Sequence, residues 1–216
     1  MSVPVQSSLW DEMAWSDDGA VGPALDHYAP GVTRRALTRG AWVDLRPLWL
    51  RGGGGVMADL VRDVPWHAER REMYERTVDV PRLLCFYGEG EPLPHPVLTQ
   101  ALAVLNDHYA AELGEPFVTA GLCYYRDGRD SVAWHGDRIG RARSADTMVA
   151  ILSLGATRRL MLRPRGGGAS LAFNLGHGDL IVMGGSCQRT WEHAIPKTAQ
   201  PVGGRISVQF RVRGVR

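Results

Sequence analysis

The chain has 216 residues, of which 44% are hydrophobic, and its 25 basic and 23 acidic side chains leave a net charge of +2. This length and hydrophobic content can supply the core of one folded domain, and the charge is too small by itself to indicate nucleic-acid binding. The three cysteines have neither paired nor zinc-type spacing, and the start of the chain has no signal-peptide pattern. No apolar run approaches the roughly 20 residues that cross a bilayer, so we expect a soluble, cytoplasmic protein.

The first half of the chain contains two predicted helices. Val32–Leu50 carries an arginine-rich patch, and a run of glycines ending at Gly55 then interrupts the pattern. Val56–Val64 follows as a short amphipathic helix. Pro96–Leu113 is the clearest helix, because its apolar residues recur at the 3 and 4 spacing of one face and Gly114 ends it. We expect this helix to pack on the outside of a sheet.

From Phe117 onward, the pattern is that of short strands separated by turns that contain glycine. The predicted strands are Val118–Tyr125, Thr147–Leu154, Arg159–Leu162, Ser170–Asn174, Asp179–Met183 and Arg205–Val212. Arg163–Gly168 is typical of a hairpin turn. Many short strands without long helices between them indicate a β-sandwich or a β-barrel. Neither an internal repeat nor a dividing linker interrupts the chain.

A metal site is indicated by His135 and Asp137, which lie two residues apart. On a strand, side chains two apart point to the same face, so both could bind one ion. His193, in the segment Trp191–Lys197, offers a third ligand. Two imidazoles and one carboxylate, with coordination positions left open, form the facial triad of non-haem Fe(II) oxygenases. The short motif alone is weak, because a surface histidine followed by a turn-capping aspartate would have the same spacing.

A pair of arginines near the end of the chain strengthens the interpretation. Apolar and polar residues alternate along 205–212, so Arg205 and Arg211 face the same side of a strand. Guanidinium groups bind carboxylates through paired hydrogen bonds, which predicts an anchor for a dicarboxylate. An exposed edge strand with a polar outer face would show the same alternation. The ligand set upstream favours the anchor, and the pieces together predict an iron and 2-oxoglutarate site.

Further motifs accompany these residues between Pro81 and Arg211. The set is Pro81-Arg82 with Phe86-Tyr87-Gly88, Tyr125-x-x-Gly128, His135-x-Asp137, Ser153-Leu154-Gly155, His177-Gly178-Asp179-Leu180, Gln188-x-x-Trp191-x-His193-x-Ile195-Pro196-Lys197 and Arg205-x5-Arg211. In their order and spacing, these motifs resemble the AlkB family of 2-oxoglutarate dioxygenases. The resemblance covers more than half of the chain.

The resemblance implies an α+β, mainly β fold: a double-stranded β-helix, or jelly roll, with N-terminal and flanking supporting helices. It implies a single dioxygenase domain over residues 1–216. Residues 1–80 would form an N-terminal extension and nucleotide-lid region, and residues 81–212 the jelly-roll catalytic core. Pro65–Tyr74 would then lie close to the lid, with a polar surface hairpin as an equal alternative.

The resemblance also implies the cofactors Fe(II), 2-oxoglutarate and O2. The expected metal ligands, which are also the expected catalytic residues, are His135, Asp137 and His193. Arg205 and Tyr125 are expected to hold the distal carboxylate of 2-oxoglutarate, with Arg211 near its metal-proximal carboxylate. The reaction of the family releases succinate and carbon dioxide and hydroxylates an N-methyl group, which then leaves as formaldehyde.

Two positions depart from the pattern of the family. Cys123 stands where the family usually carries an asparagine that helps to hold the cosubstrate, and a thiol is a weak hydrogen-bonding group. We therefore expect either weaker cosubstrate binding or compensation for the lost amide by Tyr124 and water. Many relatives carry acidic, base-reading residues after Asp137, whereas this chain has Arg138, Arg141 and Arg143, which suit contact with phosphates.

The expected partner is nucleic acid, single-stranded or damaged DNA in particular, with RNA as the alternative. No membrane partner is expected, and the protein is expected to be a monomer. Tyr87 matches a position that relatives use for nucleotide contact, and Trp66 is a further candidate for stacking on a base.

Three hypotheses stay open. The first is oxidative demethylation of bases such as 1-methyladenine and 3-methylcytosine in DNA. The second is the same chemistry on RNA, transfer RNA in particular, or on a protein. The third is a non-catalytic metal-binding jelly roll, which would have no need of the pair Arg205 and Arg211. The arginine surplus, with Lys197 the only lysine, favours a polyanionic substrate.

Overall fold

The computed structural model describes residues 22–73, 76–137 and 144–215. Within them the helices are α1 Gly54–Asp63, α2 Pro96–Leu113 and α3 Cys187–Thr190, with short 3-10 helices at Ala29–Gly31 and Thr38–Gly40. The strands are β1 Ala24–Leu25, β2 Thr33–Ala36, β3 Ala41–Arg46, β4 Leu50–Arg51, β5 His67–Met73, β6 Arg76–Tyr87, β7 Phe117–Tyr125, β8 Val132–His135, β9 Val149–Gly155, β10 Arg158–Pro164, β11 Leu171–Leu175, β12 Leu180–Gly185, β13 Trp191–Ile195 and β14 Arg205–Val212. None of these helices is long and apolar enough to span a lipid bilayer.

The strands form two principal antiparallel sheets. The larger sheet has the strand order β2-β3-β12-β9-β14-β7-β6-β5, and the smaller sheet has the order β11-β10-β13-β8. Strands β1 and β4 form a separate two-stranded ribbon. Many neighbours in the sheets are far apart in the sequence, which is typical of a jelly roll rather than a simple meander. The predicted mainly β jelly roll with flanking helices is confirmed.

β14 lies in the centre of the larger sheet, between β9 and β7. Its apolar residues, Ile206, Val208 and Phe210, are fully buried on one face. Arg205 and Ser207 are equally inaccessible on the other face. The alternation therefore does not mark an exposed edge strand, because both faces of β14 are covered.

Helix α2 has the predicted bounds and the predicted position outside the larger sheet. It begins after His95, whose Nδ1 accepts a hydrogen bond from the Val97 amide at 3.1 Å, and it ends before Gly114, which has a φ of 69°. The side chain of Asn106 fixes the helix to β7, since it donates to the carbonyl of Phe117 at 3.0 Å and accepts from its amide at 2.7 Å.

The arginine-rich region Val32–Leu50 contains β2 and β3, which its residue pattern did not indicate. Asp44 on β3 is buried, and its carboxylate accepts hydrogen bonds from Arg34 and from the hydroxyl of Tyr109, each at 2.7 Å. The guanidinium of Arg34 also stacks 3.8 Å from the ring of Trp42. Because a buried charge is tolerated when it is paired and hydrogen-bonded, these polar residues are compatible with a strand.

The polar region Pro65–Tyr74 is a hairpin as far as the structure describes it. β5 pairs with β6, and this pair forms one end of the larger sheet. The hairpin is not a surface feature alone, since His67 and Glu69 of β5 line the cavity described below.

Candidate metal and cosubstrate site

Two histidines on neighbouring strands form the centre of the site. His135 ends β8 and lies directly opposite His193 of β13, and their ring centroids are 4.2 Å apart. The carboxylate oxygen Oδ1 of Asp137 lies 3.8 Å from Nε2 of His135. One ligand atom from each of the three residues lies within 4.8 Å of the other two. The three predicted ligands are therefore close enough to bind one metal ion.

Asp137 reaches this position by a route that differs from the prediction. β8 ends at His135, so strand alternation does not bring Asp137 to the same face. The chain instead passes close to helix α3 at Gly136, where a Cβ atom would lie 2.7 Å from the carbonyl oxygen of Gln188. The side chain of Gln188 also accepts a hydrogen bond from the Asp137 amide at 3.0 Å. The middle position of the motif thus requires glycine.

The protonation states of the buried ligands suit a metal. Burial and the neighbouring His135 lower the pKa of His193 to about 3. Burial alone would raise the pKa of Asp137, but Arg211 and the two histidines outweigh it and lower this pKa to about 2. Near neutral pH, His193 is therefore neutral and Asp137 is ionised, which are the forms that bind metals.

The third ligand, His135, is oriented by the backbone. Its Nδ1 lies 2.8 Å from the carbonyl oxygen of Ala133. A carbonyl only accepts hydrogen bonds, so Nδ1 carries a proton, and the neutral form of the ring then has its free lone pair on Nε2. This arrangement, in which the second ring nitrogen is hydrogen-bonded, is the usual one for a metal-binding histidine.

The three ligands line a cavity of about 630 Å³, which we call the central cavity. The smaller sheet contributes the two histidines, and the larger sheet contributes the inner faces of β14, β7 and β6. The polar side chains that these three strands contribute are Arg205, Ser207, Gln209 and Arg211 of β14, Cys123 and Tyr125 of β7, and Arg82 of β6.

Arg205 is a buried cation on the wall of the central cavity. Only 1% of its surface is exposed, and its Nε donates to the hydroxyl of Ser153 at 2.9 Å. Within the described residues it forms no ion pair. Its guanidinium lies 5.5 Å from the ring centroid of Tyr125, and burial raises the pKa of the Tyr125 phenol. A buried charge needs a partner, and this pair offers a guanidinium and a protonated hydroxyl to a carboxylate.

Arg211 directly contacts one of the three predicted metal ligands, Asp137. Its Nε donates to Oδ2 of Asp137 at 2.7 Å. Gly121 on β7 makes room for the guanidinium, since a Cβ atom there would lie 2.7 Å from Nη1 of Arg211. Arg205 and Arg211 share one face of β14, as the alternation predicted, and they stand at two ends of a polar wall.

A model of the 2OG-Fe(II) oxygenase superfamily matches residues 66–211 of the chain. The alpha-ketoglutarate-dependent dioxygenase alkB homolog 3 of Bos taurus is 32% identical over 204 residues, which is 84% of this chain. The chain belongs to the AlkB family of 2OG-Fe(II) oxygenases. It spans 66% of the length of the bovine relative.

Other members of the AlkB family and two solved structures are also similar. The alkB homolog 3 of Homo sapiens is 31% identical over 205 residues, covering 84% of this chain and 66% of the relative. The DNA oxidative demethylase ALKBH2 of Arabidopsis thaliana is 25% identical over 191 residues, covering 71% of this chain and 60% of the relative. The structure of OsALKBH1 has a TM-score of 0.57 at 13% identity, covering 84% of this chain and all of that one. A 2OG-Fe(II) oxygenase family oxidoreductase from Burkholderia pseudomallei has a TM-score of 0.54 at 13% identity, covering 79% of this chain and 85% of that one. The two structures show that the fold is shared.

Membership of the AlkB family implies Fe(II), 2-oxoglutarate and O2, and the residues present fit the two groups that the protein must hold. Two nitrogens and one carboxylate oxygen converge at one point, which is a donor set suited to Fe(II). The buried guanidinium of Arg205 and the hydroxyl of Tyr125 fit the far carboxylate of a dicarboxylate.

Cys123, where this chain departs from the AlkB pattern, lines the central cavity. It lies opposite Ser207 of β14, and its Sγ accepts a hydrogen bond from Nε2 of Gln209 at 3.4 Å. Gln209 was not predicted to take part in the site. The alternation places it on the same face as the two arginines, and this was the only sequence signal for it.

The two predicted base-contacting residues do not line the central cavity. Trp66 donates from Nε1 to the carbonyl of Leu60 at 3.1 Å and packs against the core. Tyr87 also packs against the core, and it follows Phe86, which does line the cavity and is 42% exposed. Alternation along β6 explains the difference, because Arg82 and Phe86 share one face and Tyr87 has the other. Phe86 therefore faces the central cavity, and base contact by Tyr87 or Trp66 stays a prediction.

The predicted phosphate-contacting residues Arg138 and Arg141, with the neighbouring Arg143, lie outside the described residues. Their role stays a prediction.

Proposed function

We propose that the protein is an Fe(II)- and 2-oxoglutarate-dependent dioxygenase that removes N-methyl groups from DNA bases of the 1-methyladenine and 3-methylcytosine type. One observation carries the proposal. A single cavity joins the ligand triad to Arg205, a buried guanidinium with no ion pair among the described residues. A dicarboxylate that extends from the metal to Arg205 can bind the metal at one end and pair with the Arg205 guanidinium at the other.

The residues of the chain act by holding and orienting the reactants. Arg205 neutralises the far carboxylate of 2-oxoglutarate, and Tyr125 donates a hydrogen bond to it. Arg211 keeps Asp137 ionised and fixes its orientation beside the metal. Burial of His193 and Asp137 excludes bulk water from the ligand side. Bound iron, with 2-oxoglutarate and O2, supplies the oxidising chemistry, and the chain directs it to the methyl group.

The outer part of the central cavity supports a nucleobase substrate. An enzyme that acts on a base must take it out of the stack, and an aromatic face can then hold it. Phe86, which is 42% exposed, offers such a face, and Glu69 also lines the cavity. Methylation of the ring nitrogens in these lesions makes the base cationic, which suits a carboxylate. Two relatives from Arabidopsis thaliana and Homo sapiens are named DNA oxidative demethylase ALKBH2.

The test is release of formaldehyde and succinate from a panel of oligonucleotides, with Fe(II) and 2-oxoglutarate supplied. The panel contains 1-methyladenine or 3-methylcytosine in single-stranded DNA, duplex DNA and RNA, a methylated transfer RNA, and unmethylated controls. We expect methylated single-stranded DNA to react faster than duplex DNA, because it costs less to unstack the base. The rate at low substrate concentration should fall as salt rises, because phosphate contacts release counterions.

Other outcomes would redirect or overturn the proposal. Turnover of methylated transfer RNA far above that of DNA would assign the same chemistry to RNA. Decarboxylation of 2-oxoglutarate without turnover of any methylated nucleic acid would indicate a protein or small-molecule substrate. Failure to decarboxylate 2-oxoglutarate with any substrate would leave only a metal-binding jelly roll.

Replacing Phe86 with alanine tests the substrate side separately. Stacking of a base on an aromatic ring is worth about 1–3 kcal/mol, so KM for the methylated oligonucleotide should rise about 5- to 150-fold. The affinity for 2-oxoglutarate should not change. Val61→Ala is a matched control, because Val61 is a similarly exposed apolar residue, at 37%, that does not line the cavity. An equal effect of both replacements on KM would exclude a stacking role for Phe86.

A further inference from the structure

Gln209 lines the central cavity but is neither a predicted metal ligand nor part of the predicted site for the distal carboxylate of 2-oxoglutarate. It lies on the inner face of β14, with Gly121 of β7 and Ile151 of β9 as its cross-strand neighbours. Its side chain is partly buried between Cys123, Ser207 and Arg211.

The direction of the Gln209 amide follows from its partners. The guanidinium of Arg211 donates from Nη2 to Oε1 of Gln209. A guanidinium has only donors, so the amide oxygen must face Arg211 and the amide nitrogen must point the other way. There Nε2 donates to the hydroxyl of Ser207 at 3.2 Å and to Sγ of Cys123 at 3.4 Å.

One of these two donated hydrogen bonds is weak. Sulfur is a poor acceptor compared with a carboxylate or carbonyl oxygen, so the N–H that points to Cys123 gains little from its present partner. A hydrogen bond to a charged acceptor is roughly twice as strong as a neutral one. An anionic ligand in the central cavity would therefore draw this N–H away from the sulfur.

The position of the amide indicates which end of a ligand it would meet. Arg211, which holds the amide oxygen, is also bonded to Asp137 at 2.7 Å, so Gln209 stands near the metal end of the polar wall. Arg205 stands at the other end, four residues away on the same strand face.

We propose that Gln209 binds 2-oxoglutarate near the metal, donating a hydrogen bond from Nε2 to an oxygen of the 2-oxo acid group. In this role it replaces the amide that Cys123 does not supply, from the neighbouring strand. The inference rests on the proposed use of 2-oxoglutarate and concerns how the cosubstrate is held.

The experiment measures 2-oxoglutarate binding by calorimetry, with Mn(II) in the metal site so that no turnover occurs. Gln209→Met keeps the length of the side chain and removes the amide. We expect its dissociation constant for 2-oxoglutarate to rise about tenfold, the loss of one hydrogen bond to a charged group. Mn(II) affinity without 2-oxoglutarate should stay within about twofold, because Gln209 bonds to Arg211 and lies one contact beyond the partners that orient metal ligands. Gln200→Met, on an exposed loop, is the matched control and should bind as the parent does.

A second replacement separates a direct contact from a structural effect. Cys123→Asn places an amide beside the space that Gln209 occupies. It should change 2-oxoglutarate affinity little in the parent but restore most of the loss in Gln209→Met. If the effects of the two replacements on the free energy of 2-oxoglutarate binding simply add, the proposal is overturned. Additive effects indicate that the two residues act independently, whereas residues that share one role are not additive.

The remaining outcomes are also decisive. Unchanged 2-oxoglutarate affinity in Gln209→Met would overturn the role of Gln209 alone. A parallel loss of Mn(II) affinity would show that the residue acts through Arg211 and Asp137, and would overturn a direct contact. A parent protein that binds Mn(II) but not 2-oxoglutarate would overturn the proposed function itself. If the methionine variant unfolds, Gln209→Ala provides the same comparison.

Discussion

Asp137→Ala is expected to abolish both Fe(II) binding and decarboxylation of 2-oxoglutarate. Loss of a residue that merely orients a metal ligand typically costs about 10- to 100-fold in metal affinity, so loss of a ligand should cost more than about 100-fold. The variant should still fold, because Arg211 keeps its hydrogen bond to Gln209. The measurements are bound Fe(II) or Mn(II) per chain, succinate release and thermal unfolding.

A matched control for this replacement is Asp63→Ala. Asp63 ends α1 and pairs with Arg62 on the surface, so its removal should leave metal binding unchanged. If Asp137→Ala decarboxylated 2-oxoglutarate at the parental rate, the assignment of the triad would be wrong.

Arg205→Met is expected to weaken the binding of 2-oxoglutarate and to raise the stability of the unliganded protein. It removes a charge-assisted contact worth about 1.5–3 kcal/mol, so the dissociation constant for 2-oxoglutarate should rise about 10- to 150-fold. Without ligand, the same variant should unfold at a higher temperature than the parent. A buried charge without a partner opposes folding, and an apolar side chain of similar volume avoids this cost.

Calorimetry with Mn(II) and thermal unfolding without ligand test both parts of this prediction. Arg159→Met, on an exposed position of β10, is the control and should alter neither quantity. An unchanged affinity for 2-oxoglutarate would remove Arg205 from the cosubstrate site. A lower unfolding temperature without ligand would show that the guanidinium has a stabilising partner in the unliganded protein.

The parts of the fold that follow one simple rule could be predicted from the sequence. α2 has an uninterrupted apolar face and a glycine at its end, and β14 has strict alternation, so both were predicted with their observed bounds. β2 and β3 were missed because their polar residues find hydrogen-bond partners on other strands and helices, which the local sequence pattern does not show. Asp44 is buried only because Arg34 and Tyr109, distant in sequence, meet it.

The candidate site could likewise be predicted only in part from the sequence. The grouping of His135, Asp137 and His193 and the shared face of the two arginines were predicted from spacing, although the reason given for Asp137 was wrong. Gln209 depends on the register that sets Ser207 opposite Cys123, and spacing along one strand does not specify such a register.

For Phe86 a signal existed. Arg82 and Phe86 are four residues apart on β6, so a strand that turns Arg82 to the cavity also turns Phe86 there and directs Tyr87 away.

The ion pair between Asp137 and Arg211 joins a loop that follows the smaller sheet to the central strand of the larger sheet. Metal and dicarboxylate bound on either side of it would hold the two sheets together from within. A ligand that binds only the native state adds about 2.7 kcal/mol to the free energy of unfolding at 100 times its dissociation constant. The fraction of molecules open to proteolysis would then fall as iron and 2-oxoglutarate become plentiful, so the cellular lifetime of the protein would follow the supply of these two ligands.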